Sequence, residues 1–325
     1  MKQSIAIIGA GIAGLSCAAT LRDAGHHVVV FDKSRGLGGR LCTRRGEGWQ
    51  ADHGAQYFTA LHPLFQQQVE HWQSKGCVDV WQTNPVVLGS NHVPAHDAPI
   101  RYVGVPGMSA PVKALADGLE VRTSHTIQGL IHTADGWQLS SVEHGLLSGI
   151  YSQIVVALPS PQAASLLKQA SPFLSTLATA HSMLPCWTVI AQLEEPAQIE
   201  FEAAFVNSGP LRWLARNNSK PGRSGQECWV LQANVHWSTE HLEDDASSVT
   251  QDLLMAFEQL GGPHVVSSSA HRWRYADCEA GDTGSVWDVA LGIGLCGDWL
   301  HGGKVEGAWL SGYHLAKQIL EREQG

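Results

Sequence analysis

Three glycines, at positions 9, 11 and 14, follow a short apolar run, and they restrict the fold more than any other feature of this 325-residue chain. The run Ile5 to Ala10 has the length of a strand. It enters Gly9-Ala10-Gly11-Ile12-Ala13-Gly14, then helical spacing through Leu15, Ala18, Ala19 and Leu21 that Gly25 closes. A second apolar run, His27 to Phe31, ends on Asp32. These pieces make a strand–turn–helix–strand unit suited to an anionic dinucleotide. Gly9 permits the tight turn, Gly11 lets the backbone approach a pyrophosphate, and Gly14 lets helix and strand pack closely. Free N–H groups of the first helical turn, at Ile12 and Ala13, would receive the phosphates. Asp32 stands where an acid accepts hydrogen bonds from an adenosine ribose.

The segment after Asp32 selects the dinucleotide. Lys33-Ser34-Arg35-Gly36-Leu37-Gly38-Gly39-Arg40 is a second glycine-rich turn with basic residues. Nicotinamide-dependent dehydrogenases do not usually place such a turn here. The stretch resembles the signature of the flavin amine oxidase superfamily, whose Gly-Gly-Arg segment lies along the FAD diphosphate and ribityl chain. The resemblance implies FAD as cofactor, with Lys33, Gly39 and Arg40 beside it.

Near the other end, Gly297-Asp298-Trp299 precedes Gly302-Gly303-Lys304-Val305-Glu306-Gly307-Ala308. This reads as a strand end, a carboxylate, a glycine loop and a new helix starting about Val305. A helix N-terminus carries roughly half a positive charge, which suits the N1/C2 carbonyl edge of a flavin. Asp298 would then bond a ribityl hydroxyl. Asp52-His53-Gly54-Ala55-Gln56-Tyr57-Phe58 resembles the superfamily loop that passes the isoalloxazine. There the small residues Gly54 and Ala55 would allow close approach to the ring, Ala55 and Gln56 would be among the cofactor contacts, and Tyr57 and Phe58 would either wall the ring or belong to the core. Thr126 falls where the superfamily binds adenine through a strand backbone. Tethered flavins in this superfamily use a cysteine in the turn before the last helix. Gly302-Gly303-Lys304 offers no thiol, so the FAD is expected to be non-covalent.

The expected fold class is α/β: an FAD-binding Rossmann-like domain with a second, mixed-sheet substrate domain, similar to amine oxidases and p-hydroxybenzoate hydroxylase. Residues 1–60, 101–160 and 290–325 are assigned to the first domain, and 61–100 with 161–289 to the second. Strands are expected over Glu120–Thr126, Gln128–Thr133, Trp137–Val142 and Ile150–Leu158. In the second domain they are expected over Cys186–Leu193, Arg212–Ala215, Glu227–Val235 and Val265–Tyr275. Helices are expected over Leu64–Trp72, Gln162–Gln169, Asp244–Leu260 and Glu306–Glu321, and Asn84 to Pro99 reads as a loop or irregular hairpin. A net charge of -9 without a Lys/Arg run argues against nucleic-acid binding. Seven scattered cysteines without a C-x-x-C pair suggest reduced thiols, and no metal site. No apolar stretch approaches the roughly 20 residues of a membrane span, so a cytoplasmic address is expected. Oligomeric state is left open.

Two departures from the amine oxidase pattern concern the substrate. The resemblance places Thr188 where amine oxidases carry a lysine near flavin N5. It places Lys304 where they carry a cage aromatic, and a cation suits an anionic substrate better than an amine. Over its full length the chain resembles the bacterial renalases. The resemblance is carried by Phe31–Arg40, Asp52–Phe58, Trp213–Arg216 with Asn217-Asn218-Ser219-Lys220-Pro221, His271-Arg272-Trp273, and Gly297–Trp299 with Val305–Gly312. It implies oxidation of isomeric dihydro-NAD(P), 2- or 6-dihydro, with dioxygen as final acceptor and NAD(P)+ and hydrogen peroxide as products. The absence of a Ser/His/Asp, metal or paired-carboxylate motif agrees, since a dihydropyridine nitrogen already drives hydride loss. Of twelve tryptophans, Trp273 is the favoured partner for nicotinamide. His271, Tyr57, Trp299 and Lys304 are further substrate candidates. The alternatives are an amine oxidase or desaturase on the same scaffold, or a non-enzymatic dinucleotide-binding protein.

Overall fold

The computed structural model describes residues 3–89, 99–279 and 281–323. Its first sheet orders six strands as Val286–Asp288, Ile293–Leu295, Gln153–Val156, Ser4–Ile8, His27–Phe31 and Glu120–Arg122. The last five run parallel, with Ile5 beside both Gln153 and Val28. Ile5–Ile8, Val28–Phe31 and Ile154–Val156 are buried throughout. Continuous β-branched runs of this kind belong to a sheet covered on both faces. Helix Ile12–Asp23 covers one face, and the terminal helix Lys304–Glu323 packs on it. Their axes approach at Gly312, where a Cβ would stand 2.0 Å from the Ala13 carbonyl oxygen.

The second sheet orders Ser267–Cys278, Met183–Gln192, Cys228–Ala233, Leu211–Arg216, Ala203–Val206 and Val86–Leu88. All but the last pairing are antiparallel. Helix Ala246–Gln259 buries Val249, Leu253 and Phe257 against Trp229 and Leu231 on one face, and the Asp245 carboxylate caps it by accepting the Ser247 and Ser248 N–H groups. The other face is turned to the cleft.

Several elements differ from expectation. The run Ile150–Leu158 is not one strand. Gly145–Tyr151 closes a small three-stranded sheet, and Gln153–Val156 enters the parallel sheet, with the break at Ser152, whose hydroxyl bonds Ser4 O. The strand from Glu120 stops at Arg122, because Ser124 takes a left-handed φ of 55°. Helix Pro172–Thr179, capped by Ser171, was not anticipated. Val286–Asp288 pairs with Ile293–Leu295, so the first sheet reaches back past residue 290. Of the expected loop from Asn84 to Pro99, positions 90–98 lie outside the described residues. No helix among the described residues is long and apolar enough to cross a membrane.

The crossing at Gly312 leaves no room for a methyl group. Gly312→Ala should cost about 1–3 kcal/mol through forced separation of the helices. A thermal melt lower by several degrees is the expected result, and an unchanged melt would contradict the close packing.

Candidate flavin and substrate cleft

The glycines behave individually. At Gly9, with φ of 111°, a Cβ would lie 2.5 Å from Ala157 O, and at Gly14 it would lie 2.0 Å from Gly9 O. Both are packing requirements. Gly11 differs, for its missing side chain would meet nothing within 4 Å. The open space there is a cleft, and the first turn of helix Ile12–Asp23 opens onto it with no acidic residue and no side-chain cap. The second glycine turn closes against the first: Gly38 N–H donates to Ala10 O at 2.9 Å, and Gly38 bridges Gly11. Asp32 braces both turns, accepting Ala10 N–H and Ser34 N–H at 2.7 Å each. Each oxygen keeps a lone pair for a ribose hydroxyl.

The cleft encloses about 1830 Å³, against roughly 300–1,000 Å³ for an ordinary small-molecule site. Gly9, Gly11, Ile12, Ala13, Asp32, Lys33, Gly39, Arg40, Ala55, Gln56, Tyr57, Phe58, Thr126, Gly297, Asp298 and Val305 all line it. Gly14 does not; it acts one layer behind, under Gly9. Arg40 and Asp298 meet across the cleft in a two-pronged pair of 2.7 and 2.6 Å, which joins the start of the chain to its end. Burial opposes the Arg40 charge, but Asp298 outweighs it and raises the Arg40 pKa. At Thr126 the N–H and hydroxyl donate to the exposed Glu143 carboxylate, and the carbonyl accepts Val142 N–H.

One row of side chains crosses the second sheet. Phe205 pairs with Trp213, Trp213 with Gln232, Gln232 with Thr188, and Thr188 with His271. Directly paired residues share a face, and at about 4.8 Å per strand the row is about 19 Å long. All but Thr188 line the cleft. Thr188 is fully buried, and the cleft-lining residue of its strand is Cys186. Trp273 lies beside this row and donates from its indole to His53 O at 2.9 Å. His53, His271 and Trp273 form a ring cluster with centroids 4.3–5.4 Å apart. Burial, then His271, push the His53 pKa down to about 4, and burial also lowers that of His271. Both rings stay neutral at neutral pH.

Trp299 corrects an expectation. It is fully buried, gives its indole N–H to Leu158 O and packs on His181, away from the cleft lining. Lys304 does line the cleft, as the first residue of the terminal helix with φ of 61° after two left-handed glycines. Phe58 lines the cleft yet also stacks on Tyr102 and packs on Phe65 and Trp72, so it serves wall and core together.

Behind the 52–58 loop stands a cluster that sequence reading missed. Asp52 is fully buried and bonds Thr43 Oγ1 at 2.7 Å, Arg223 Nη2 at 2.6 Å and Lys220 Nζ at 3.2 Å. Burial alone would raise the Asp52 pKa, but the two cations hold it below its ordinary value. Among the described residues no group of His, Cys, Asp and Glu is arranged to hold a metal ion.

Comparison with known proteins agrees with this geometry. Residues 7–72 match an NAD(P)-binding Rossmann-like domain, and residues 96–320 match the flavin containing amine oxidoreductase family. An L-amino-acid oxidase of Siganus canaliculatus is 44% identical over 66 residues, 20% of this chain and 12% of that protein. A 15-cis-phytoene desaturase of Synechococcus elongatus is 44% identical over 61 residues, 19% of this chain and 12% of that one. Both matches thus span about an eighth of the relative's length. Over the whole chain, the cyclohexylamine oxidase of Brevibacterium oxydans IH-35A superposes with a TM-score of 0.77 at 13% identity, covering 100% of each chain. The cofactor is FAD, and the open ground before Gly11, the bare helix turn and the paired glycine loops fit it.

Gly11→Val would place a side chain in that open ground, and the variant should purify nearly free of flavin, whereas acid should release FAD into the supernatant from the parent protein. Flavin retained at full stoichiometry by the variant would refute the placement. His53 gives a pH signature. Its folded pKa of about 4 lies below the ordinary 6.5, so the unfolded chain binds the proton first. Stability from this group is present above pH 6.5 and is lost as pH falls towards 4, on the order of 2 kcal/mol after allowance for partial exposure. Denaturant melts of His53→Asn between pH 7 and 4.5 should show a shallower decline than the parent.

Proposed function

The chain belongs to the flavin-containing amine oxidoreductases, and within that family we propose that it is an FAD-dependent oxidase of isomeric dihydro-NAD(P), the 2- or 6-dihydro forms. The products would be NAD(P)+ and hydrogen peroxide. The charge of the cleft carries this reading. Nine Lys or Arg residues line it against four Asp or Glu among the described residues, in a chain of net charge -9. Lys33, Arg45, Arg101, Lys113 and Lys304 form no ion pair among the described residues. That surplus suits two anionic dinucleotides, cofactor and substrate, and the volume exceeds the needs of one.

The lining also disfavours an amine. Arg101 lies 5.2 Å over the Tyr57 ring, on a face that an ammonium group would otherwise use. FAD, when bound, supplies the two-electron acceptor and passes the electrons to dioxygen. The protein's own task is to hold a flat ring in register and exclude water, for which the Phe205–Trp213–Gln232–His271 row and Trp273 provide a rigid floor. His53 and His271 can each donate or accept a single hydrogen bond without adding charge. Amine oxidation remains the second reading, favoured by the family match and by the fold shared with a cyclohexylamine oxidase.

Anaerobic titration separates the two. A dihydronicotinamide isomer should bleach the flavin within seconds and give peroxide on admission of air, and monoamines should not. Bleaching by an amine alone would establish the second reading. Lys304→Met should raise KM for the dinucleotide severalfold and leave kcat nearly unchanged, because its charge acts equally on ground and transition states.

A further inference from the structure

Lys220 carries a charge that the fold does not need. Asp52 is already neutralised by Arg223 at 2.6 Å and further bonded by Thr43 and by Met108 N–H at 3.2 Å. Lys220 adds a second cation to the same carboxylate, and its side chain is 0% exposed. Its other partners are neutral: Gln56 Oε1 at 3.1 Å and the Trp81 ring, 5.2 Å from Nζ. Burying an ammonium without a carboxylate of its own costs several kcal/mol. A methionine of similar length would avoid that cost, and retention of such a charge points to function.

The charge sits directly behind the cleft wall. Gln56 lines the cleft, and its Nε2 donates to Asp52 O and Gly54 O, which leaves Oε1 for Lys220. Trp81, under the ammonium, packs on Tyr57 and Trp213, both in the lining. Burial is the main influence on Lys220 and lowers its pKa to about 8, so the cation persists at neutral pH. An uncancelled charge in a dry wall acts strongly on whatever lies against that wall.

We propose that Lys220, held behind the 52–58 loop by Asp52 and Gln56, places an uncancelled positive charge next to a flavin ring seated against that loop, and thereby raises the cofactor's reduction potential. The proposal rests on the flavin placement given above and not on the identity of the substrate. Reduction adds negative charge to the ring, so a fixed cation behind the loop favours the reduced form.

The test uses the FAD-loaded protein and sulfite, which adds to the oxidised flavin as an anion and needs no substrate. Lys220→Met should weaken sulfite binding at least about tenfold and lower the two-electron midpoint potential by about 30 mV per tenfold. Lys220→Arg should restore both. If Lys220→Met fails to fold or to hold flavin, Lys220→Gln decides, since it removes the charge and keeps a polar group able to donate to Asp52 and Gln56; it should shift both readouts in the same direction. A flavin-loaded Lys220→Met with unchanged sulfite affinity and potential would overturn the proposal, as would an unshifted Lys220→Gln where that variant decides. Loss of flavin from every variant including Lys220→Arg would instead assign Lys220 a structural role and also overturn it. Absence of any flavin in the parent protein would defeat the cofactor placement itself, a distinguishable failure.

Discussion

Asp52 holds together parts of the chain that are far apart in sequence. Its carboxylate gathers Thr43 from the turn after the second glycine loop, Met108 N–H from the start of a short helix, and Lys220 and Arg223 from the loop after strand Leu211–Arg216. Its N–H is bound in turn by the Asn217 side chain at 3.0 Å. With Lys220 and Arg223 both buried, removal of the carboxylate would leave two cations without a partner, a penalty of about 3–5 kcal/mol. The 52–58 loop is therefore anchored from behind, and its cleft-facing residues are presented on a fixed support. Gln232 and Trp273 complete the support from the second sheet, bonding the carbonyls of Gly54 and His53.

The parts of the site that were legible in the sequence are those fixed by local backbone geometry. Gly9 takes a left-handed turn and Gly14 packs on the Gly9 carbonyl five residues back, both within one short segment, and the helix after them follows from composition; the Ala157 carbonyl that also crowds Gly9 was not legible. The cross-strand row was not legible. Phe205, Trp213, Gln232 and His271 come together only through four registers among five antiparallel strands, and a bulge between Leu211 and Trp213 shifts one of them. Trp299 was misplaced for a related reason. It neighbours Asp298 in sequence, but the short helical turn Asp298–Leu300 sends the indole to the opposite side, where Leu158 O satisfies it. Lys220 entered only as part of the Asn217-Asn218-Ser219-Lys220-Pro221 resemblance, with no sign of its burial, since Asn-Asn-Ser-Lys-Pro-Gly-Arg has the composition of a solvated loop and lysine is almost never fully buried.

Family and substrate rest on different evidence in this molecule. The glycine turns, the terminal helix and the two-sheet frame belong to the family as a whole, and a fold of this kind hosts many chemistries. The proposed substrate rests on what the frame displays: a flat aromatic and amide floor, a guanidinium over Tyr57, and a lysine at the start of the terminal helix. A left-handed residue other than glycine costs about 1 kcal/mol or more, so Lys304 holds its place at the expense of stability.

The uneven distribution of charge also governs how a ligand arrives. Since the cleft carries a basic surplus within an acidic chain, the surface outside it is more acidic than the overall balance indicates. An approaching polyanion is repelled over most of the molecule and drawn inward only at the mouth, where low-dielectric walls concentrate the field. Because the screening length is about 8 Å at physiological ionic strength, this guidance operates over the last one or two molecular diameters of a nucleotide. Capture is thereby biased towards productive orientation before any contact is made, and a cationic competitor meets the reverse landscape, attracted to the exterior and turned away at the entrance.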